Sequence, residues 1–388
     1  MSKIFFLILI IFVGFTVGQV PPYKEECVKD AYPPPASRLV KEYIINLDLP
    51  PEERWAELVK EKALLIKNIL TKFKEFVRDW GQEAAKLIEL VDEKFGKFDD
   101  TLPEPFRGEL LGIAKYSNLN LGEVVLYNIF YEIFTVCTSI VAEDPSGNLY
   151  HARNLDFGLF IGWDIRNKTW EITEALKPLI VNLNFQRSGQ TVFKSVNYAG
   201  YVGILTAVKP KTFTLSMDER FNKDGGFIGI IEWLLGIRTG SWMGFLTRGV
   251  MENSTSYNQA RDVLSNTEML APAYFILGGT KSGEGCVITR AREKTLDIWE
   301  MTSAGGWYIL ETNYDHWTKP LFLDDRRTPA NKCMRNMTQA NVSVKGIFNV
   351  LSSKPVLNKL TTYTAVMEVS TGHLETYLAN CTDPCFPW

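Results

Sequence analysis

A chain of 388 residues, 46% hydrophobic and 22% charged, has the composition of a globular protein with a large core, which excludes a disordered or collagen-like one. A formal net charge of -3 gives no electrostatic footprint for nucleic acid. Its three histidines, His151, His316 and His373, form no ligand spacing with Cys or carboxylates, so neither a metal nor a cofactor is expected.

In chain order, Lys3 precedes an apolar run from Ile4 to Val13 and a small-residue segment from Gly14 to Gly18. This predicts a secretory signal peptide over residues 1–18, because the run is shorter than a membrane span needs. After the prolines at 33–35 the pattern turns helical. Pro50 to Glu53 reads as a helix start, and Trp55, Leu58, Val59, Ile66, Ile69 and Phe73 recur at helical spacing towards Trp80. Further helices are predicted over Ala84–Phe95, Glu109–Tyr116 and Leu121–Phe134. Near Cys137 the texture changes. Cys137–Ala142 and Leu149–Arg153 flank the turn Asp144–Asn148 as a hairpin. Strand-like runs follow at Leu179–Phe185, Thr191–Tyr198, Tyr201–Ala207 and Lys211–Met217. Helical patterns cover Ile228–Leu235, Trp242–Met251 and Tyr257–Leu264. Strands return at Tyr274–Leu277, Cys286–Thr289, Leu296–Glu300 and Trp307–Glu311, before a helix at Val344–Leu351 and a last hairpin near Thr371-Gly372. The predicted class is α+β, with stacked antiparallel sheets between helical layers. The apolar stretch Phe227–Leu246 reads either as core helices over a sheet or as the rim of a lipid channel.

The six cysteines fit an oxidising compartment, where most should pair. Cys381 and Cys385 suit a small local loop, and Cys286 lies in a strand-like run as a buried thiol. Cys27 and Cys333 can then pair across the chain, which leaves Cys137 as an odd thiol in need of a reason. Sequons at Asn167, Asn253, Asn336 and Asn341 agree with the secretory route; Asn380 is a fifth, crowded by the local cysteine loop.

Cys137 enters a hairpin whose second strand carries Arg153 and Asp156, so a thiol at the strand's first position would sit at a sheet edge open to substrate. The plain alternative is a buried cysteine beside a structural Arg–Asp pair. A Cys–His site fits poorly, since no histidine lies in a recognisable signature.

Four segments carry a resemblance: Cys137-Thr-Ser-Ile-Val, Arg153-Asn-Leu-Asp156, Thr312-Asn-Tyr-Asp-His-Trp317 and Asp324-Asp-Arg-Arg-Thr328. Together they are similar to the choloylglycine-hydrolase-type N-terminal-nucleophile amidases. Within that family the whole chain resembles the ceramide-hydrolysing branch, on Ile45–Pro51, Phe157–Trp163, the Cys27 and Cys333 positions and the ending Cys381–Cys385. The acyl-ethanolamide branch is the alternative. The resemblance implies an αββα fold and a precursor cut before Cys137 into a helical α subunit (19–136) and a catalytic β subunit (137–388). Cys27–Cys333 would join the two. It implies a lysosomal enzyme, partly secreted, acting on ceramide at a membrane surface, with a lipid-presenting helper protein as a possible partner. It also implies a site of Cys137, Arg153, Asp156, Asn313 and Arg326. Once the bond before it breaks, Cys137 would offer a thiol nucleophile with its own α-amino group as base. Asn313 would donate to the oxyanion, Asp156 would orient the α-ammonium, and Arg153 would hold Asp156 or depress the amine's pKa. Arg326 would position substrate or brace the site against Asp324 and Asp325. Glu219 and Trp163 are the expected substrate contacts; a surface carboxylate is the equal alternative for Glu219.

Overall fold

The computed structural model of the protein describes residues 26–79, 102–133, 135–157, 162–220, 229, 232–233, 239–303 and 306–385. The expected signal peptide, the Ala84–Phe95 helix, most of the 227–238 stretch and the centre of the Phe157–Trp163 segment lie outside the described residues.

The first regular element is a strand, β1 (Glu42–Asn46), in which Tyr43 and Ile45 turn inward and their neighbours face out. It is followed by α1 (Ala56–Asp79), whose buried stripe of Leu58, Val59, Ile66, Ile69, Leu70 and Phe73 repeats at helical spacing. α2 (Phe106–Ser117) stops at Asn118, which takes the left-handed conformation that asparagine tolerates. α3 (Leu121–Ile133) starts on a reciprocal cap, with Glu123 N–H donating to Asn120 Oδ1 at 2.8 Å and Asn120 N–H donating to Glu123 Oε2 at 3.1 Å.

Next come β2 (Thr135–Glu143), β3 (Leu149–Phe157), the short pair β4 (Trp163–Asp164) and β5 (Thr169–Trp170), and α4 (Glu171–Leu176). Four strands follow: β6 (Ile180–Arg187), β7 (Gln190–Tyr198), β8 (Thr206–Lys209) and β9 (Phe213–Glu219). Helices α5 (Met243–Asn253) and α6 (Tyr257–Asn266) precede β10 (Ala273–Gly278), β11 (Gly285–Arg290), β12 (Thr295–Glu300) and β13 (Tyr308–Glu311). The chain closes with α7 (Arg327–Met337), α8 (Val344–Leu351), β14 (Thr361–Glu368) and β15 (His373–Leu378).

Two sheets stack. The smaller has the order β13-β2-β3-β14-β15, and the larger runs β1-β6-β7-β8-β9-β10-β11-β12. Strands β2 and β3 lie over β9, β10 and β11, with Val141, Tyr274, Ile276, Val287 and Ile309 filling part of the gap. α7 and α8 cover the outer face of the smaller sheet; α5 and α6 cover the larger. This is the expected sandwich. N-terminal helices pack on the large sheet's end, where the left-handed Gly200 (φ +88) leaves room for Ile66 and Tyr127.

Three expectations are corrected. The N-terminal segment is not wholly helical, because β1 pairs parallel with β6 at the edge of the large sheet. Residues 201–205 are irregular rather than strand, since Asn128 and Asn197 bond their backbone: Asn197 Nδ2 donates to Tyr201 O at 2.9 Å and to Gly203 O at 2.8 Å. Cys137 is the third residue of β2, not the first, and β2 is an interior strand. Thr135 and Val136 continue the ladder opposite Phe157 and Asp156, so in the unbroken chain the thiol is fully buried. Cys27 is bonded to Cys333 on α7 (S–S 2.05 Å) and Cys381 to Cys385, while Cys286 is a free buried thiol.

Candidate active site

Strand parity sorts the site. Cys137 and Ser139 stand opposite Leu155 and Arg153, so all four share the face of the small sheet that meets the large one. Arg153 is the diagonal neighbour of Cys137 there, and its Nη2 donates to Cys137 Sγ. Asp156 is three residues on and therefore points to the other face. Arg153 consequently does not hold Asp156. It pairs with Asp218 of β9 at 3.2 Å, and its Nη1 donates to Leu205 O at 2.6 Å and Thr206 Oγ1 at 3.1 Å. Asp156 instead lies 3.6 Å from Arg326 and accepts from Asn358 Nδ2 at 2.9 Å. The Val136–Cys137 bond sits between these two buried ion pairs.

Arg326, just before α7, gathers the backbone around that bond. Its Nη1 donates to Cys137 O and, at 3.3 Å, to Thr138 Oγ1. Nη2 donates to Asn313 Oδ1 at 3.1 Å, and Nε to Asp324 Oδ1 at 2.9 Å. Both expected roles, bracing and positioning, are compatible with this fork. Asn313 follows β13 with φ 68, a left-handed backbone that is uncommon outside glycine and is found at functional sites. Glu311 Oε1 clamps that turn by accepting from Thr312 N–H and Tyr314 N–H, both at 3.0 Å. Asn313 Oδ1 accepts from Cys137 N–H at 2.6 Å, and its Nδ2 donates to Glu219 O at 2.7 Å. Two N–H donors converge on one atom of the amide, which assigns that atom as oxygen.

Burial dominates the electrostatics. It pushes the Cys137 thiol well above its ordinary pKa, with Arg153 pulling the other way. It pushes Asp156 up to about 6 against the opposing pull of Arg326, and it raises Asp218 against that of Arg153. Burial also works against the Arg153 cation, but Cys137 and Asp218 outweigh it and keep the guanidinium charged. Histidine contributes nothing next to the sulfur. His151 is buried between Thr214 and Ser216 and is driven down to about 3, by burial and then by Arg153. His316 stacks on Trp299, and His373 lies beside Glu375. Among the described residues no cluster of His, Cys, Asp or Glu could hold a metal ion.

The two expected substrate contacts part company. Glu219 ends β9 and reaches the site through its carbonyl; it is buried, so it is not a surface carboxylate. Trp163 lies on the separate β4–β5 hairpin, its ring 4.9 Å from that of Trp170. Sequence reading passed over Asp218 and Glu311. Asp218 adjoins Glu219 in Met217-Asp-Glu-Arg220, and the alternation of β9 was the signal that only one of the two carboxylates faces Cys137. The asparagines of all five sequons are exposed.

Residues 137–383 match the linear amide C–N hydrolases of the choloylglycine hydrolase family, a match that begins at Cys137. The chain belongs to that family. Residues 39–102 match the beta subunit of N-acylethanolamine-hydrolyzing acid amidase. Acid ceramidase of Homo sapiens is 52% identical over 381 residues, covering 97% of this chain and 96% of the relative. That of Bos taurus is 52% identical over 392 residues, covering 100% of this chain and 99% of the relative. The chain is thus also a member of the acid ceramidase family, and an amide hydrolase. Among solved structures, the Caenorhabditis elegans ortholog of N-acylethanolamine-hydrolyzing acid amidase has a TM-score of 0.53 at 31% identity, over 63% of this chain and 100% of that one.

Proposed function

We propose that this amidase hydrolyses the N-acyl amide bond of ceramide to sphingosine and a free fatty acid, after cutting itself between Val136 and Cys137. The observation that carries the reading is the double attachment of Cys137. Its sulfur is held by Arg153, and its nitrogen donates to Asn313 Oδ1 at 2.6 Å. Cutting the bond before Cys137 would free that nitrogen as an amine already seated beside the thiol. The start of the family match at residue 137 and the curated relatives' name support the same reading.

In the mature enzyme the α-amine would take the thiol proton while sulfur attacks the substrate carbonyl. Asn313 uses one Nδ2 hydrogen on Glu219 O, which leaves the other for the developing oxyanion. Nitrogen protonation then expels sphingosine, and water hydrolyses the thioester to return the thiol. A free α-amine has a pKa near 7.7–8.0. The buried setting and the Arg326 cation on Asn313 Oδ1 both push it lower, as work in an acidic lysosome requires. Five exposed sequon asparagines suit a glycoprotein routed there. Contacts of Trp163 with lipid, a membrane encounter and a helper protein belong to this proposal.

Fatty acyl ethanolamides are the second reading, favoured by the residue 39–102 match and by the nematode structure. Assays on a ceramide and an ethanolamide with the same acyl chain separate the two. A higher kcat/KM on ceramide is expected; a higher value on the ethanolamide transfers the assignment.

A further inference from the structure

A buried hydrogen-bonded chain between the sheets ends on Asp218. Ser139 Oγ donates to Asp218 Oδ1 at 3.0 Å, and Ser216 Oγ donates to Ser139 Oγ at 2.9 Å. His151 Nε2 lies 2.9 Å from Ser216 Oγ, and its Nδ1 lies 2.9 Å from Thr214 Oγ1. Ser216 directs its one proton to Ser139, and Thr214 Oγ1 directs its own to Gly278 O at 3.3 Å. Each donor from Ser216 onward therefore points towards Asp218, which is the arrangement that stabilises its anion. Ser139, Ser216, His151 and Asp218 are all fully buried.

Among the described residues Asp218 Oδ2 has no hydrogen-bond donor, and the Cys137 thiol is a hydrogen-bonding neighbour of the Asp218 carboxyl group. In the unbroken chain Cys137 nitrogen is an amide and cannot accept a proton. Asp156 lies on the opposite face of β3, occupied with Arg326 and Asn358. Arg153 and Arg326 are cations. Glu311, opposite Ser139 on the same face, is engaged by the Thr312 and Tyr314 N–H groups, so among the described residues Asp218 is the carboxylate paired with the guanidinium that holds the sulfur.

We propose that Asp218 is the catalytic base of self-cleavage, taking the Cys137 thiol proton before any α-amine exists. This rests on the self-cleavage reading above. The S–H proton passes to Asp218 as the sulfur pair attacks the Val136 carbonyl carbon, whose π pair moves to oxygen. Collapse re-forms the carbonyl and breaks the Val136–Cys137 C–N bond, and the departing nitrogen takes up the proton that Asp218 holds. Water then attacks the thioester carbon, C–S breaks, and the products are a Val136 carboxylate and a Cys137 thiol with a free amine. Arg153 holds both carboxylate and sulfur, so the charge moving between them stays paired. Burial raises the Asp218 pKa, which makes it a stronger base. The groups facing it are Arg153 on β3, Cys137 and Ser139 on β2, Tyr363 on β14, Glu311 on β13, and Arg326.

The test follows the cut in purified, uncut full-length chain across acid and neutral pH, on reducing gels. Loss of a general base typically costs about 10²–10⁴-fold. Asp218→Asn should slow cleavage by about a hundredfold or more at an unchanged melting temperature, and Asp218→Glu should recover part of the rate with its acid limb displaced. A folded Asn variant cut within about twofold of the parent overturns the proposal. Should the Asn variant not fold, the Glu variant decides: a displaced acid limb supports Asp218, and an unmoved one overturns it. Cys137→Ala, run alongside, separates the two claims, because cleavage there would remove self-cleavage itself rather than Asp218's part in it.

Discussion

Asn313 accepts from the Cys137 nitrogen and from Arg326, donates to Glu219 O, and in the proposed mechanism offers its other N–H to the oxyanion. Asn313→Ala should therefore lower kcat by about a hundred- to a thousandfold with KM little changed, the usual cost of one oxyanion donor. Equal turnover in a cleaved, folded variant would dismiss it from that role. The residues themselves were legible in the sequence, since Cys137, Arg153, Asp156, Asn313 and Arg326 all lie within reach of one peptide bond. Their partners were not. Arg153 and Asp156 look like a pair three positions apart, but an odd separation on a strand puts them on opposite faces. Each therefore finds its counter-ion elsewhere, on β9 and before α7. Motif spacing carries no information about such partners, because they arrive through sheet stacking.

At the scale of elements, the segment before Cys137 is bound to the rest by more than its disulfide. β1 extends the large sheet beside β6, and Trp55 packs on Phe185 with ring centroids 6.2 Å apart. Glu109 of α2 is fully buried between Arg54 and Arg248 of α5, at 3.0 and 3.1 Å, and accepts from Trp55 Nε1 at 2.7 Å. Reducing Cys27–Cys333 in cleaved protein should therefore separate the chains on a denaturing gel but not in native size-exclusion chromatography. Native dissociation would mean that this interface is weak. Glu109→Ala takes from the buried Arg248 one of its two carboxylate partners, Glu252 remaining at 2.6 Å, and should cost roughly 3 kcal/mol, read from chemical unfolding. A loss below about 1 kcal/mol would place the weight elsewhere. The hairpin and the inner strands were readable from alternation and turn residues. β1 was not, because five residues between prolines and a helix give too short a period. α7 was missed because its apolar stripe is small: Ala330, Cys333 and Met334 amid Arg, Asn and Lys.

For the molecule as a whole, buried acids set how stability follows pH. Glu311 is pushed up to about 8 by burial, from 4.5, with Arg327 opposing. The folded state thus binds a proton that the unfolded state releases, so its contribution is full below 4.5 and is lost as pH rises through 8. Asp156, raised to about 6 from 3.8, acts in the same direction at lower pH. His151 acts oppositely between about 3 and 6.5, since the fold holds it neutral. Above 6.5 only the Glu311 slope remains of these three, and the melting temperature should fall from there to pH 8. Glu311→Gln should flatten that fall; an unchanged slope would contradict the assignment. An acid-favouring interior suits the compartment proposed for this enzyme. The αββα class was legible from strands and helices falling in blocks rather than alternating. What it hid was that the chain closes over the Cys137 thiol.

That closure makes Cys137→Ala the most direct measurement. In the proposed function the thiol is needed twice, first against the Val136 carbonyl and then against substrate. The variant, with a melting temperature like the parent's, should remain a single full-length chain and hydrolyse no ceramide. A folded Ala variant that is still cut between Val136 and Cys137 with no protease present would contradict self-cleavage, and one that also turned over ceramide would contradict Cys137 as the nucleophile.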